Sequence, residues 1–156
     1  MTTRILFVCL GNICRSPTAE AVVRARSAGL DLTLDSAGTG DWHAGDPPYG
    51  PMQRAALARG YDMSALRARV LLAEDFDRFD LILGMDADNM RGIEALRGTS
   101  DTPIRLFTDY AQGQTEGVPD PYYTRDFDGA LDLIERCAEG LLATLDPARG
   151  GGRASG

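Results

Sequence analysis

Histidine is nearly missing from this chain: of 156 residues, only His43 is one. Cysteine is almost as sparse, at three residues, Cys9, Cys14 and Cys137. One imidazole and three scattered thiols do not give the ligand spacing of a zinc site, so no metal is expected. A small, odd cysteine count also argues against a disulfide scaffold. Positive charge is in short supply. The chain has 16 basic and 23 acidic residues and a net charge of −7, which disfavours nucleic acid as the main partner. No apolar run approaches the ~20 residues that a membrane-spanning helix needs. Arg4 is followed by a short apolar stretch and not by a secretory leader. The expectation is a cytoplasmic protein without a membrane partner.

What is present is ordinary for a globular domain, with 44% hydrophobic and 25% charged residues. The length suits one domain with a sizeable core, here expected over residues 1–146. The Gly-rich tail, 147–156, is expected to be disordered and dispensable. Strand-like stretches at 4–8, 32–36, 79–83 and 103–107 alternate with helix-like stretches at 17–28, 51–59, 87–96 and 127–145. Residues 37–50 are rich in Gly and Pro and read as loop. Such alternation implies an α/β fold in three layers, α/β/α, around a central four-stranded parallel twisted sheet, flavodoxin- or Rossmann-like. Sites in such sheets lie at the carboxyl ends of the strands. Cys9 follows the first strand, Ser36 ends the second and Asp86 follows the third, so all three are expected along one edge.

The most informative stretch is Val8-Cys9-Leu10-Gly11-Asn12-Ile13-Cys14-Arg15-Ser16-Pro17. It sets a cysteine and an arginine in one short loop between a predicted strand and a predicted helix. The thiolate is the reactive form of cysteine, and a helix N-terminus and a nearby cation stabilise it. Backbone N–H groups of Leu10, Gly11, Asn12, Ile13 and Cys14 can turn inward as an anion cradle. Arg15 adds a planar fork for two phosphate oxygens. Cys9 would then sit beneath a cradled phosphorus. Gly11 permits the turn, and Asn12 can hold it through side-chain bonds. Ser16-Pro17 reads as a helix start with Ser16 as its cap. A buried cysteine after a strand is more often simple packing, so it is the context that carries the reading.

Asp120-Pro121-Tyr122-Tyr123 completes a set of nucleophile, anion binder and acid. A carboxyl near the leaving oxygen supplies the proton that an alkoxide or phenoxide needs. Tyr122 and Tyr123 offer surface for a flat substrate. Asp86 reads either as a brace for the loops or as a helix N-cap. His43, beside Trp42, reads as a rim or surface residue. Cys137 falls on a helical apolar stripe with Phe127, Leu131, Ile134, Leu141 and Leu145, and so reads as core.

The cysteine loop through Ala21, together with Ser36-Ala37-Gly38-Thr39, Gly84-Met85-Asp86 and Asp120-Pro121-Tyr122-Tyr123, resembles the motifs of the low-molecular-weight protein tyrosine phosphatases, in the same order. The resemblance runs from about Ile5 to about Leu145. It implies a phosphocysteine intermediate on Cys9, phosphate binding by Arg15 and acid/base work by Asp120. It also implies that Asn12, Ser16 and Ser36 orient the loop and the sulfur. Trp42 would form one wall of the pocket, and Tyr122 or Tyr123 the other. No cofactor is implied. Cys14 is implied to form a reversible disulfide with an oxidised Cys9; simple packing of Cys14 is the alternative. The family often carries a His two residues before a pair like Ala68-Arg69. Here that position holds Leu66, which leaves open how Asn12 is held.

The expected partners are phosphotyrosine-bearing proteins, and the expected state is a monomer or weak dimer. Three other functions are weighed. Protein-arginine phosphatases resemble this loop but carry Thr where this chain has the apolar Ile13, which suits a phenyl ring. An arsenate reductase needs a downstream pair of exposed thiols to relay a disulfide, and none is evident. A binding module with a dead site would lack Cys9, Arg15 or Asp120.

Overall fold

The computed structural model describes residues 2–113 and 116–146. The expected disorder of 147–156 lies outside the described residues. Four strands, β1 (Thr3–Cys9), β2 (Leu32–Gly38), β3 (Leu81–Gly84) and β4 (Ile104–Leu106), form one parallel sheet in the order β2-β1-β3-β4. The helices are α1 (Arg15–Arg26), α2 (Gly50–Leu57), α3 (Asp75–Arg78), α4 (Ala87–Arg97), α5 (Pro121–Thr124) and α6 (Phe127–Leu145).

β1 shows why the sheet is covered on both sides. Its side chains alternate between two faces. Ile5, Phe7 and Cys9 belong to the larger core, with α1, α2 and α6 residues such as Val22, Met52 and Ile134. Leu6 and Val8 belong to the second core, with Phe76, Phe79, Ile93 and Ile104. A strand buried on both faces reads as a continuous apolar run, as residues 5–8 do. Cys137 is fully buried on α6 with Leu131, Ile134 and Leu141.

Several element boundaries differ from expectation. β2 runs on to Gly38, and β3 begins at Leu81, two residues after the expected start. β4 ends at Leu106, because Phe107 opens a 3₁₀ turn, Phe107–Tyr110. α3, the 3₁₀ turn and α5 are four residues each, too short to leave a periodic signal. α1 starts at Arg15, before Pro17, and its N-cap position is Cys14, not Ser16. The Ser16 hydroxyl is directed to other partners.

The chain order leaves the sheet after β1 toward β2 on one side and returns to β3 on the other. This change of winding direction opens a crevice at the carboxyl end of β1, where ligands bind in open sheets of this kind. Cys9 is the last residue of β1.

Candidate active site

Residues 10–14 leave β1 and enter α1 as a tight loop around the Cys9 sulfur. The Asn12 amide donates to Cys9 Sγ at 3.2 Å, and Ser16 Oγ lies 3.0 Å from the same sulfur. Asn12 takes a left-handed backbone (φ 58°), a conformation that Asn tolerates better than most residues. Its side chain is fully engaged: Nδ2 donates to Ser16 Oγ at 2.8 Å and to Ser36 Oγ at 2.9 Å, while Oδ1 accepts from the Arg69 amide at 2.9 Å. These bonds answer the question raised by Leu66, since Asn12 is held without an imidazole. Ser36 in turn donates to Glu20 Oε1 at 2.9 Å, and Arg24 donates to Glu20 Oε2 at 2.7 Å. Burial raises the Glu20 pKa, against the pull of Arg24 and Ser36.

The loop lies directly on the end of β2. A Cβ on Gly38 would fall 2.7 Å from the Leu10 carbonyl oxygen and 3.2 Å from Asn12 Cβ. Only a residue without a side chain fits there.

Arg15 is buried, with its side chain 3% exposed. Nη1 donates to Asp86 Oδ2 at 2.6 Å and to the Val118 carbonyl at 2.9 Å. Nη2 makes a longer contact to Asp120 Oδ2, at 3.4 Å, and Nε has no partner among the described residues. Burial works against the charge. The Cys9 sulfur, the Asp86 hydrogen bond and the Asp120 charge outweigh it, so the Arg15 pKa stands above its ordinary value. One edge of the guanidinium is thus anchored, while the Nε/Nη2 edge keeps the donors that two oxygens of a tetrahedral anion require.

Asp86 fills both roles that the sequence left open. Oδ1 accepts from the Asn89 amide at 2.8 Å as the N-cap of α4, while Oδ2 holds Arg15. Gly117 (φ +105°) packs against it, with room for no Cβ. Asp120 likewise divides its oxygens. Oδ1 accepts from the Tyr122 amide at 3.1 Å and caps α5, and Oδ2 faces Arg15.

A cavity of about 340 Å³ opens over the loop, lined by Cys9, Leu10, Gly11, Ile13, Cys14, Arg15, Trp42, His43, Asp120, Tyr122 and Tyr123. Cys9 is 2% exposed at its floor, whereas Trp42 (70%) and Tyr123 (72%) stand out at its rim. Tyr122 packs on Tyr49 with ring centres 5.1 Å apart. His43 is a rim residue, with Nδ1 3.3 Å from Asp46 Oδ2. Cys14 is buried, and burial, together with the nearby Asp120 and Cys9 charges, pushes its thiol up to about 12. All of the expected site residues therefore converge, with Asn12, Ser16, Ser36 and Asp86 in the bonds behind the cavity wall. Sequence reasoning missed Val118, Glu20 and Arg69. Val118 meets Arg15 through its carbonyl and Arg69 meets Asn12 through its amide, so no side-chain signal marks either contact. Among the described residues no group of His, Cys, Asp or Glu is arranged to hold a metal ion.

The sequence matches the family described as low molecular weight phosphotyrosine protein phosphatase over residues 4–149. It is 42% identical over 147 residues to the low molecular weight protein-tyrosine-phosphatase YfkJ of Bacillus subtilis, covering 90% of this chain and 94% of that one. The crystal structure of YfkJ superposes with a TM-score of 0.88 at 41% identity, over 92% and 94% of the two chains. A protein tyrosine phosphatase from Entamoeba histolytica, crystallised with Hepes in the active site, superposes with a TM-score of 0.86 at 34% identity, over 94% and 99%.

Proposed function

The chain belongs to the low molecular weight phosphotyrosine protein phosphatase family and is an enzyme of the protein-tyrosine-phosphatase class; from that premise we propose that it hydrolyses phosphotyrosine through a phosphocysteine intermediate on Cys9. The single observation that carries this reading is the convergence on one cavity of a donor-ringed sulfur, an anchored guanidinium and a carboxyl.

In the first step the Cys9 thiolate attacks phosphorus in line with the phenolic oxygen. The S–P bond forms, the P–O bond breaks, and protonated Asp120 gives its proton to the departing phenoxide. The loop amides and the Nε/Nη2 edge of Arg15 hold the equatorial oxygens as charge redistributes over them. In the second step Asp120, now a carboxylate, takes a proton from water. That water attacks phosphorus, the S–P bond breaks, and Cys9 leaves as thiolate. No cofactor enters either step.

Depth supports the aromatic preference. The sulfur lies at the floor of a cavity walled by Trp42, Tyr122 and Tyr123, so a phenyl ring spans the wall while a phosphoserine is too short. Ile13, also on the lining, presents an apolar surface to that ring and not to a guanidinium.

We also propose that Cys14 traps a Cys9 sulfenic acid as a disulfide, releasing water. A thiol pushed up to about 12 is almost wholly protonated at neutral pH. The trapping step is therefore slow near pH 7 and quickens with alkalinity. A cytoplasmic setting, with reducing thiols to reopen the bond, fits this chemistry.

The deciding experiment compares hydrolysis of phosphotyrosine, phosphoarginine and phosphoserine peptides, with Cys9→Ser as control. Preference for phosphotyrosine is expected. In the control, turnover should vanish while inorganic phosphate still binds, because the cradle survives. Preference for phosphoarginine would overturn the argument from Ile13, and turnover surviving in the control would remove Cys9 as nucleophile.

A further inference from the structure

The bond to Asn12 Oδ1 comes from the main chain of Arg69, and its direction is set by where residues 68–71 lie. Those residues run beside the end of β2. Gly38 N donates to the Arg69 carbonyl and Leu71 N donates to the Gly38 carbonyl, both at 2.8 Å, in a short parallel bridge centred on Val70. The same segment exchanges bonds with the loop that carries Trp42 and His43: Gly45 N donates to Ala68 O and Ala68 N to Asp46 O, each at 2.8 Å. One segment thus touches the cysteine loop, the end of β2 and the pocket rim.

The Arg69 side chain fastens that segment. Nη1 and Nη2 donate to the two oxygens of Asp75, each at 3.0 Å, and Nε donates to Asp35 Oδ2, also at 3.0 Å. Asp75 is fully buried, and its Oδ2 also accepts from the Leu72 amide at 2.8 Å. Asp35 belongs to β2 and Asp75 to α3, so a single guanidinium ties the segment to an element on either side. A bidentate arginine–carboxylate pair fixes orientation as well as distance. From Asp75 the bonds run through Arg69 to Asn12, from Asn12 to Ser16, and from Ser16 to the Cys9 sulfur.

We propose that Asp75, outside the cavity, is a positioning residue for the reaction, acting through Arg69 and Asn12 on the Cys9 sulfur. This rests on the phosphatase reading for its kinetic consequence, but not for its effect on the sulfur itself. With Asp75 replaced by Asn the fork loses its bidentate charged anchor and keeps only Asp35 as a charged partner, the Arg69 amide drifts from Asn12 Oδ1, and Ser16 is no longer steered onto Cys9. Substrate still meets the loop amides and Arg15, so binding changes less than turnover.

The test is a double-mutant cycle of Asp75→Asn and Asn12→Ala with two readouts: hydrolysis of a small aryl phosphate, and the pH dependence of Cys9 alkylation by iodoacetate. Asp75→Asn is expected to lower kcat about tenfold with little change in KM, and to move the alkylation midpoint to higher pH. On the Asn12→Ala background it should add less than about twofold, since residues acting in one chain are not additive. Full additivity, or lost thermal stability with an unmoved alkylation midpoint, would make Asp75 a structural residue only and overturn the proposal. If Asp75→Asn does not fold, Asp35→Asn, at the half-exposed end of the clamp, and Arg69→Lys enter the same cycle: a moved midpoint with non-additive kcat supports the proposal, and additivity overturns it. Alkylation does not need turnover. A wild type inactive on phosphotyrosine but with this midpoint pattern would sink the phosphatase reading and leave the positioning role standing.

Discussion

At the scale of single residues, the three thiols differ by surroundings and not by exposure, for all are buried. Cys9 has an amide and a hydroxyl at its sulfur and lines the cavity. Burial pushes the thiols of Cys14 and Cys137 up to about 12. The thiolate is the nucleophile, so iodoacetate at pH 7 should label Cys9 alone, and mass mapping of the labelled peptides checks this. Comparable labelling of Cys14, which also lines the cavity, would mean that its thiol ionises despite its burial. Asp75 shows the limit of residue-level reading. Nothing in the sequence singles out Glu74-Asp75-Phe76-Asp77, yet Asp75 is the most buried acid among the described residues, because a guanidinium 6 positions away meets it.

At the scale of elements, Asp86 couples a helix to the site, since one carboxylate both caps α4 and anchors Arg15. Asn serves as an N-cap about as well as Asp, whereas Ala costs about 1 kcal/mol. Asp86→Asn and Asp86→Ala should therefore lose turnover to a similar degree, while only Asp86→Ala should lose that further ~1 kcal/mol in denaturant titrations. Equal stabilities would mean that the cap contributes nothing. The long elements were legible because each carries its period. The apolar run 5–8 marks a strand buried on both faces, and the stripe through Cys137 marks the inner face of α6. The parallel sheet followed from alternation, and with it the gathering of Cys9, Ser36 and Asp86 at one edge. α3 and α5 were not legible, for four residues hold barely one turn. Nor was the true start of α1: Ser16 has the chemistry of a cap, but the neighbouring sulfur and Asn12 claim its hydroxyl.

At the scale of the molecule, four thiols and phenols have raised pKa values that act on stability in the same direction. Cys14 and Cys137 stand near 12 against an ordinary 9.0, and Tyr61 and Tyr110 lie above 10.0, all chiefly through burial. The folded chain keeps protons that the unfolded chain has released. Their contribution is whole below about pH 9 and is lost as pH climbs toward 12. Unfolding free energy should fall by at least ~1 kcal/mol between pH 8 and pH 10, measurable by urea titration at each pH; a flat profile would mean these thiols ionise freely in the fold. The cavity as a whole has a handedness consequence. Cys9 is buried at its base, Trp42 and Tyr123 are exposed at its rim, and Asp120 shares its lining. On the proposed two-step reaction, the departing phenol and the incoming water use the same face of phosphorus, the face away from sulfur. Each displacement inverts the phosphorus centre, and two inversions restore it. An aryl phosphate made chiral with oxygen isotopes, its phosphoryl group passed to an alcohol in place of water, should emerge with its original configuration.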